Sequence, residues 1–240
     1  MLIEGKNAIR GALESGQTIN KIMIDQNYQS RKDEIISLAF KNKVKVEFLP
    51  KVALDKRCKT GHHQGYIAET VEFNYSSLED ILAVSQEKGT APFIILLDGI
   101  EDPHNFGAII RSCACAGVDG IIIPKNSSVQ VNETVIRTST GAISNMKIAK
   151  VINLKDAITF LKENDIWVFA AEAGGEHIYK RNLTIPVALV IGSEGFGVKK
   201  TIISACDGVV SLPLMGQVNS LNASVACGIC VFEVLRQRQK

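Results

Sequence analysis

Phe93-Ile-Ile-Leu-Leu97 is a five-residue run without a polar position. A strand with one wet face alternates apolar and polar residues, whereas an unbroken run of this length suits a strand covered on both faces, as in a parallel sheet. The signature recurs at Gly120-Ile-Ile-Ile-Pro124, Ile166-Trp-Val-Phe-Ala170 and Val187-Ala-Leu-Val-Ile191. Between these runs the apolar spacing becomes helical, at 107–116, about 132–139, 154–162 and 199–205. Residues 209–214 read as a last strand and 221 to about 238 as a long final helix. Strands alternating with helices imply right-handed βαβ units and an α/β fold built on a parallel sheet. Ligands of such sheets bind outside the carboxyl ends of the strands, and that is where this sequence puts its unusual residues.

Working outward, Gly89-Thr-Ala-Pro92 breaks the pattern ahead of Phe93, and Asn74, Ser76 and Ser77 precede a helix from Leu78 to about Gln86. Upstream lies a smaller α/β unit. A short helix covers 8–13, Lys21-Ile-Met-Ile-Asp25 alternates as a strand, and Ser30 is placed to cap a helix running to about Lys43. Residues 44–49 form a strand ended by Pro50, 51–59 a short helix, and 66–70 a strand after Gly61-His-His-Gln-Gly65. The expected division is a small α/β domain at 1–72, a linker at 73–91 and a larger domain at 92–240.

At 240 residues and 46% hydrophobic, the chain can bury a sizeable core. No stretch approaches the roughly 18 consecutive apolar residues of a membrane span. Glu4, Lys6 and Arg10 leave the first ten residues without the apolar stretch of a secretory signal, so a cytoplasmic protein is expected. The net charge of +2 is unevenly spread: residues 1–70 hold twelve Lys/Arg against eight Asp/Glu. Lys41, Lys43, Lys45, Lys51, Lys56, Arg57 and Lys59 could contact phosphates, or simply form a solvated face. The six cysteines sit mostly in apolar, helix-like surroundings, where reduced cysteine acts as a small hydrophobe. Cys227-Gly-Ile-Cys230 has no second pair to complete a zinc site, and no metal is expected. His62 and His63 read as a loop contact or a plain surface turn, and His177 as an exposed loop residue.

Three loops carry the chemistry. In the first, Leu97-Asp-Gly-Ile-Glu-Asp-Pro-His-Asn-Phe-Gly-Ala-Ile-Ile-Arg111, a buried strand turns at Asp98-Gly99 and a helix begins near Asn105, its expected N-cap. Arg111 would fall within the first two turns among apolar neighbours, where an anionic partner is expected, from either a salt bridge or a phosphate. The second, Val187-Ala-Leu-Val-Ile-Gly-Ser-Glu-Gly-Phe-Gly197, is a strand and a glycine-rich turn, neither GxGxxG nor a P-loop. Glu194 would repel a phosphate, so the loop suits a ligand carrying positive charge or several donors. The third, Leu212-Pro-Leu-Met-Gly-Gln-Val-Asn-Ser-Leu-Asn-Ala-Ser-Val-Ala226, alternates apolar Leu212, Leu214, Met215 and Leu221 with polar Gln217, Asn219, Ser220 and Asn222. Apolar walls with a few directional polar groups suit an adenine-and-ribose pocket; alternatively, Ser220 or Asn222 merely caps the last helix.

Taken in order, Asn105-Phe-Gly-Ala-Ile-Ile-Arg111, Ile191-Gly-Ser-Glu-Gly-Phe-Gly197 and Leu212-Pro-Leu to Asn219-Ser-Leu-Asn-Ala-Ser-Val225 resemble the three motifs of the SpoU/TrmH class of RNA ribose 2′-O-methyltransferases. The resemblance covers about residues 92–240. Residues 1–70, ending in His63-Gln-Gly65, resemble more loosely the ribosomal-protein-L30-like domain of members that act on ribosomal RNA. The nearest likeness is to members that methylate a guanosine of bacterial 23S rRNA. The resemblance implies a trefoil-knotted domain, S-adenosylmethionine bound in the knot, RNA as substrate (rRNA before tRNA), and a homodimer packed through the knotted domain with the active sites near the interface. It implies Gly192, Leu212, Met215, Ser220 and Leu221 around the cofactor, and Arg111, Asn105, Glu194 and Asn222 as catalytic residues. An arginine, with a pKa above ~12, is a poor base. Arg111 is therefore expected to anchor the phosphate beside the target ribose and to stabilise the emerging alkoxide, with His104 and Glu194 as less favoured bases.

Two rival readings remain from the residues. A dinucleotide-dependent oxidoreductase lacks its GxGxxG here; a non-catalytic RNA-binding protein retaining the fold would not need all three loops.

Overall fold

In the computed structural model, which describes residues 2–14, 18–29, 33–70, 73–216 and 220–239, the chain divides into two units, Met1–Phe73 with Val131–Glu133 and Asn74–Gln130 with Thr134–Lys240. The first unit runs β1 (Leu2–Glu4), α1 (Lys6–Glu14), β2 (Ile19–Asp25), α2 (Glu34–Lys41), β3 (Lys45–Leu49), α3 (Lys51–Asp55) and β4 (Tyr66–Thr70). Among the described residues its sheet has the order β1-β4-β2-β3, with β4 antiparallel to both neighbours and β2 parallel to β3. The period-2 alternation of strands sorts the core. Ile22 and Ile24 pack with Ile9, Leu13, Ile35 and Ala39 of the helices, while Met23, between them, meets Leu54 and Ile67 on the other face.

Polar clasps fix this unit's loops. The expected cap Ser30 lies outside the described residues; Asp33 caps α2, accepting from the Ile35 amide at 2.8 Å. Its second oxygen takes the Tyr66 hydroxyl at 2.5 Å and Lys6 Nζ at 3.2 Å. Burial opposes the Asp33 charge, yet these donors hold the carboxyl below its ordinary range. Glu4 receives the Lys59 amide at 2.6 Å, the Thr60 hydroxyl and amide and the Cys58 thiol, which draw its pKa down to about 2. His63 is neither a surface turn nor a free loop contact. It is 5% exposed, its Nδ1 accepts from the Gly65 amide at 2.9 Å, and its Nε2 therefore carries the proton 2.8 Å from Asp55.

The second unit continues with α4 (Leu78–Lys88), β5 (Phe93–Asp98), α5 (Pro103–Cys115), β6 (Gly120–Pro124), α6 (Glu133–Thr138), β7 (Lys147–Val151), α7 (Leu154–Glu163), β8 (Trp167–His177), β9 (Val187–Gly192), α8 (Lys200–Ile203), β10 (Gly208–Ser211) and α9 (Ala223–Arg238). The expected parallel α/β sheet is present: among the described residues six strands run in the order β10-β8-β9-β5-β6-β7, every pair parallel. Ile94 and Leu96 of β5 pack with Ile81 of α4 and Leu154, Ile158 and Leu161 of α7. On the helices α5 and α9, which pack on each other, the buried residues include Phe106, Ile109, Ile110 and Cys113, and Cys227, Cys230, Val231 and Val234.

The path of the chain gathers the site. After β7, at one edge, the chain crosses to β8 beyond the centre, and β9 then inserts between β8 and β5. Asp98 thus pairs in register with Gly192, which sets the loops after β5 and β9 side by side. The strand β8 runs on to His177, past the apolar run that ends at Ala170, because its polar tail pairs with β10 (Glu176 with Val210, His177 with Ser211) after a register shift. His177 is accordingly an exposed strand end and not a loop residue. Arg238, in the last turn of α9, donates to four carbonyls: Ala91 at 2.7 Å, Pro92 at 3.0 Å, Ile185 at 2.7 Å and Leu183 at 3.3 Å. It fastens α9 to the starts of the two central strands.

Candidate functional site

The helix α5 starts earlier than its sequence suggests. Asp102 is the N-cap, accepting from the His104 amide at 3.0 Å, and Pro103 occupies the first turn, where no backbone donor is needed. Asn105 is therefore inside the first turn and not the cap, and Arg111 falls in the third turn instead of the first two. The shift releases the Asn105 amide from capping. Its Nδ2 donates to Glu194 Oε1 at 2.9 Å, and its Oδ1 accepts from Asn222 Nδ2 at 3.0 Å. Asn222 Nδ2 donates to the same Glu194 oxygen. One carboxylate thus joins all three loops. Asn222 also caps α9, its Oδ1 accepting from the Ser224 and Val225 amides at 2.9 and 3.2 Å, so of the two caps open from sequence it is Asn222 that serves.

The glycine-rich loop is closed on itself: the Gly197 amide donates to the Ser193 carbonyl at 2.9 Å, and the Ser193 amide returns a bond to Gly197 at 3.2 Å. Two carboxylates that the sequence reading gave no role hold its far end. Glu172 accepts from the Val198 amide at 2.8 Å. Asp98, 2% exposed, accepts from the Lys199 amide and from Lys199 Nζ, both at 2.9 Å. Glu172 follows the apolar run of β8 at the sheet's carboxyl end; that position was its only signal.

Two cavities meet at this loop. One, of about 410 Å³, is lined by Gly192, Leu212, Ser220 and Leu221, with Glu172, Val210 and Cys230. The other, of about 660 Å³, is lined by residues 98–102, Asn105, Ser127 and Lys199. Residues 193–197 and Ala223 belong to both, forming a shared wall. Of the expected site residues, Gly192, Leu212, Ser220 and Leu221 come together in the first cavity, Asn105 lines the second, and Glu194 stands in the wall. Met215 is 97% exposed and outside both linings; Gln217 and Asn219 lie outside the described residues. Arg111 is exposed, lines neither cavity, and its side chain makes no hydrogen bond or ion pair among the described residues. Among the described residues, the anionic partner expected for it is not present.

The chemistry follows from this lining. The smaller cavity offers aliphatic walls to a flat apolar group and the oxygens of Glu172, Glu194 and Ser220 to donors or a positive charge. Cys230 is no nucleophile: burial, with Cys227 beside it, pushes its thiol up to about 12. Gly107, in the first motif, lets α5 approach α6, since a Cβ there would stand 1.8 Å from Thr138 Oγ1.

Residues 92–232 match the family described as SpoU rRNA methylase, and residues 2–76 match the domain described as RNA 2′-O ribose methyltransferase substrate binding. The Bacillus subtilis (strain 168) protein YacO, named for the TrmH family of tRNA/rRNA methyltransferases, is 39% identical over 98% of this chain and 94% of its own. A Staphylococcus aureus (strain MSSA476) protein named for the same family is 40% identical over 99% and 96%. Among solved structures, the SpoU methyltransferase AviRb from Streptomyces viridochromogenes, in complex with AdoMet, aligns with a TM-score of 0.65 at 22% identity, covering 100% of this chain and 91% of AviRb.

Proposed function

The chain belongs to the SpoU/TrmH family of RNA methyltransferases, and from that premise we propose that it transfers a methyl group from S-adenosylmethionine to a ribose 2′-hydroxyl of structured RNA, a guanosine of 23S rRNA in preference to a tRNA nucleotide. The observation that carries this reading is the shared wall: a donor in the smaller cavity and a ribose in the larger would meet across residues 193–197. The smaller cavity fits the donor. Val210, Leu212 and Leu221 suit adenine, Ser220 suits the ribose, and Glu172 and Glu194 suit a ligand that carries positive charge. When bound, the cofactor supplies an activated methyl group, so the protein has to orient the partners and handle one proton.

In this reading Gly192 lets backbone approach the donor, and Asn105, Glu194 and Asn222 hold the three loops at the seam. Arg111 anchors the phosphate beside the target ribose and stabilises the alkoxide as the hydroxyl proton passes to that phosphate or to a water. Its exposure and the lack of a side-chain partner among the described residues favour a role toward RNA over a structural salt bridge. We further propose a homodimer through α5 and α9, supported by the exposed Val225, Ile229 and Phe232 at helical spacing on α9. The active site then lies near the interface.

The trefoil knot is part of the same reading, supported by the return of the chain after β10 to bring Asn222 onto Glu194. The proposed division is RNA binding by an L30-like domain at 1–72 and methyl transfer by 92–240, with α4 of the 73–91 connector packed on the latter. The lysine-rich stretch 41–59 supports an RNA contact by the first domain.

Methyl transfer by Arg111→Ala and Arg111→Lys tests the mechanism. A loss of about 100-fold or more in kcat is expected for alanine, a central magnitude for removing one transition-state stabiliser, with cofactor affinity unchanged. Near-normal turnover by the alanine variant removes Arg111 from the mechanism. Comparing 2′-O-methyl maps of RNA from cells with and without the gene identifies the nucleotide.

A further inference from the structure

We propose that the ring of Phe196 is the platform on which the base of the target nucleotide stacks; this rests on the methyltransferase reading of the same site. Phe196 is 95% exposed. A single exposed aromatic residue needs no explanation by itself, but this one stands on a loop held from both sides. The Ser193–Gly197 pair closes the loop, Glu172 holds Val198, and Asp98 holds Lys199. Fixing a loop while leaving its largest apolar side chain in water makes sense if another surface covers that ring.

The position selects the surface. Phe196 lines both cavities, so it borders the seam across which a methyl group would pass. A ribose with its 2′-oxygen at that seam carries its base and its phosphates into or around the larger cavity. Among the described residues the lining there contains Asp98, Glu101, Asp102 and Glu194, and its one cation, Lys199, is already paired with Asp98. Such a lining repels phosphate and accepts the N–H donors of a heterocycle. The base therefore takes the cavity and the phosphates stay outside it. Every nucleobase offers a flat π-face, so an aromatic platform at this point adds affinity without demanding one base.

The experiment compares Phe196→Ala, Phe196→Leu and Phe196→Tyr with the unsubstituted protein. The readouts are methyl transfer to total RNA from cells lacking the gene, and S-adenosylhomocysteine binding by calorimetry. Stacking of one base corresponds to about 5- to 150-fold in affinity for RNA. We expect kcat/KM for RNA to fall by that factor in the alanine and leucine variants, to recover with tyrosine, and S-adenosylhomocysteine affinity to stay within about twofold throughout. Unchanged kcat/KM for alanine, or recovery by leucine as complete as by tyrosine, overturns the platform alone. Loss of S-adenosylhomocysteine binding in the alanine variant also overturns it and assigns the ring to the smaller cavity. Absence of methyl transfer by the unsubstituted protein overturns the underlying reading instead, and the platform with it.

Discussion

Replacing Gly192 by alanine would put a carbon 2.1 Å from the Gly197 carbonyl carbon, 2.3 Å from the Val198 nitrogen and 2.4 Å from the Gly197 oxygen. All three are backbone atoms, so no side chain can turn aside and the loop has to open. Opening breaks the two Ser193–Gly197 bonds, at ~0.5–1.5 kcal/mol each, and an overpacked site adds ~1–3 kcal/mol of strain. The sum is about 2–6 kcal/mol against the closed loop. If the cofactor binds only that form, its affinity falls at least about 30-fold, at ~1.4 kcal/mol per tenfold. Gly195, three residues on, supplies the control: a Cβ there meets nothing within 4 Å, and its φ is not in the left-handed region. Gly195→Ala should bind S-adenosylhomocysteine within about twofold of the unsubstituted protein. Titration calorimetry on both variants, with thermal unfolding to verify folding, decides the matter. Binding by Gly192→Ala within threefold of the unsubstituted protein, or an equal loss in Gly195→Ala, would refute the reasoning.

Glu172→Ala removes the oxygen that accepts from the Val198 amide, so S-adenosylhomocysteine affinity should drop about tenfold, near the ~1–3 kcal/mol cost of an unmet donor. An unaltered calorimetric isotherm would show that the clasp is dispensable. Arg238→Ala removes the shared donor of four carbonyls, of which Pro92 keeps the Val187 amide. At ~2–5 kcal/mol and ~2–4 °C per kcal/mol for a chain of this size, the melting temperature should fall by about 4–20 °C, less for Arg238→Lys; scanning calorimetry reads this directly. Glu4 has a folded-state pKa of about 2 against an ordinary 4.5. The stability it contributes is therefore full above about pH 4.5 and lost as the pH falls toward 2. Denaturant titrations should show Glu4→Gln less stable than the unsubstituted protein at pH 7 and equal to it by pH 2; a gap that does not change with pH would contradict the assignment.

The sheet of the second unit was legible because burial on both faces removes the need for polar residues, and β5, β6, β8 and β9 each announce themselves as apolar runs. The edge strand β7 did not, since Lys147 and Lys150 interrupt it. The strand β1 was too short, at three residues, to show a period. The N-terminus of α5 was misread for a specific reason. Asn105 and Asp102 are both good caps by type, and Pro103 between them is the first residue of the helix. At the site, the likeness of three motifs named Asn105, Glu194 and Asn222, which do converge, as well as Met215 and Arg111, which line neither cavity, but not the supports Glu172 and Asp98, whose roles depend on strand order. Only once β9 lies beside β5, with β8 on its other side, do these carboxylates reach the loop after β9. Arg111 shows the complementary limit: that it lies on this helix was readable, but its turn shifted with the N-cap, and its lack of a side-chain partner among the described residues was not readable.

The four carbonyls gathered by Arg238 also set a schedule for biosynthesis. Ala91 leaves the ribosome 147 residues ahead of the guanidinium that will occupy it, with Pro92 only one behind. While translation continues, the edges of the two middle strands must stay wet or borrow other donors. The methyltransferase unit should therefore reach its final stability as a post-translational event, and nascent chains halted before residue 238 should remain open to proteases at 91–92 and 183–185.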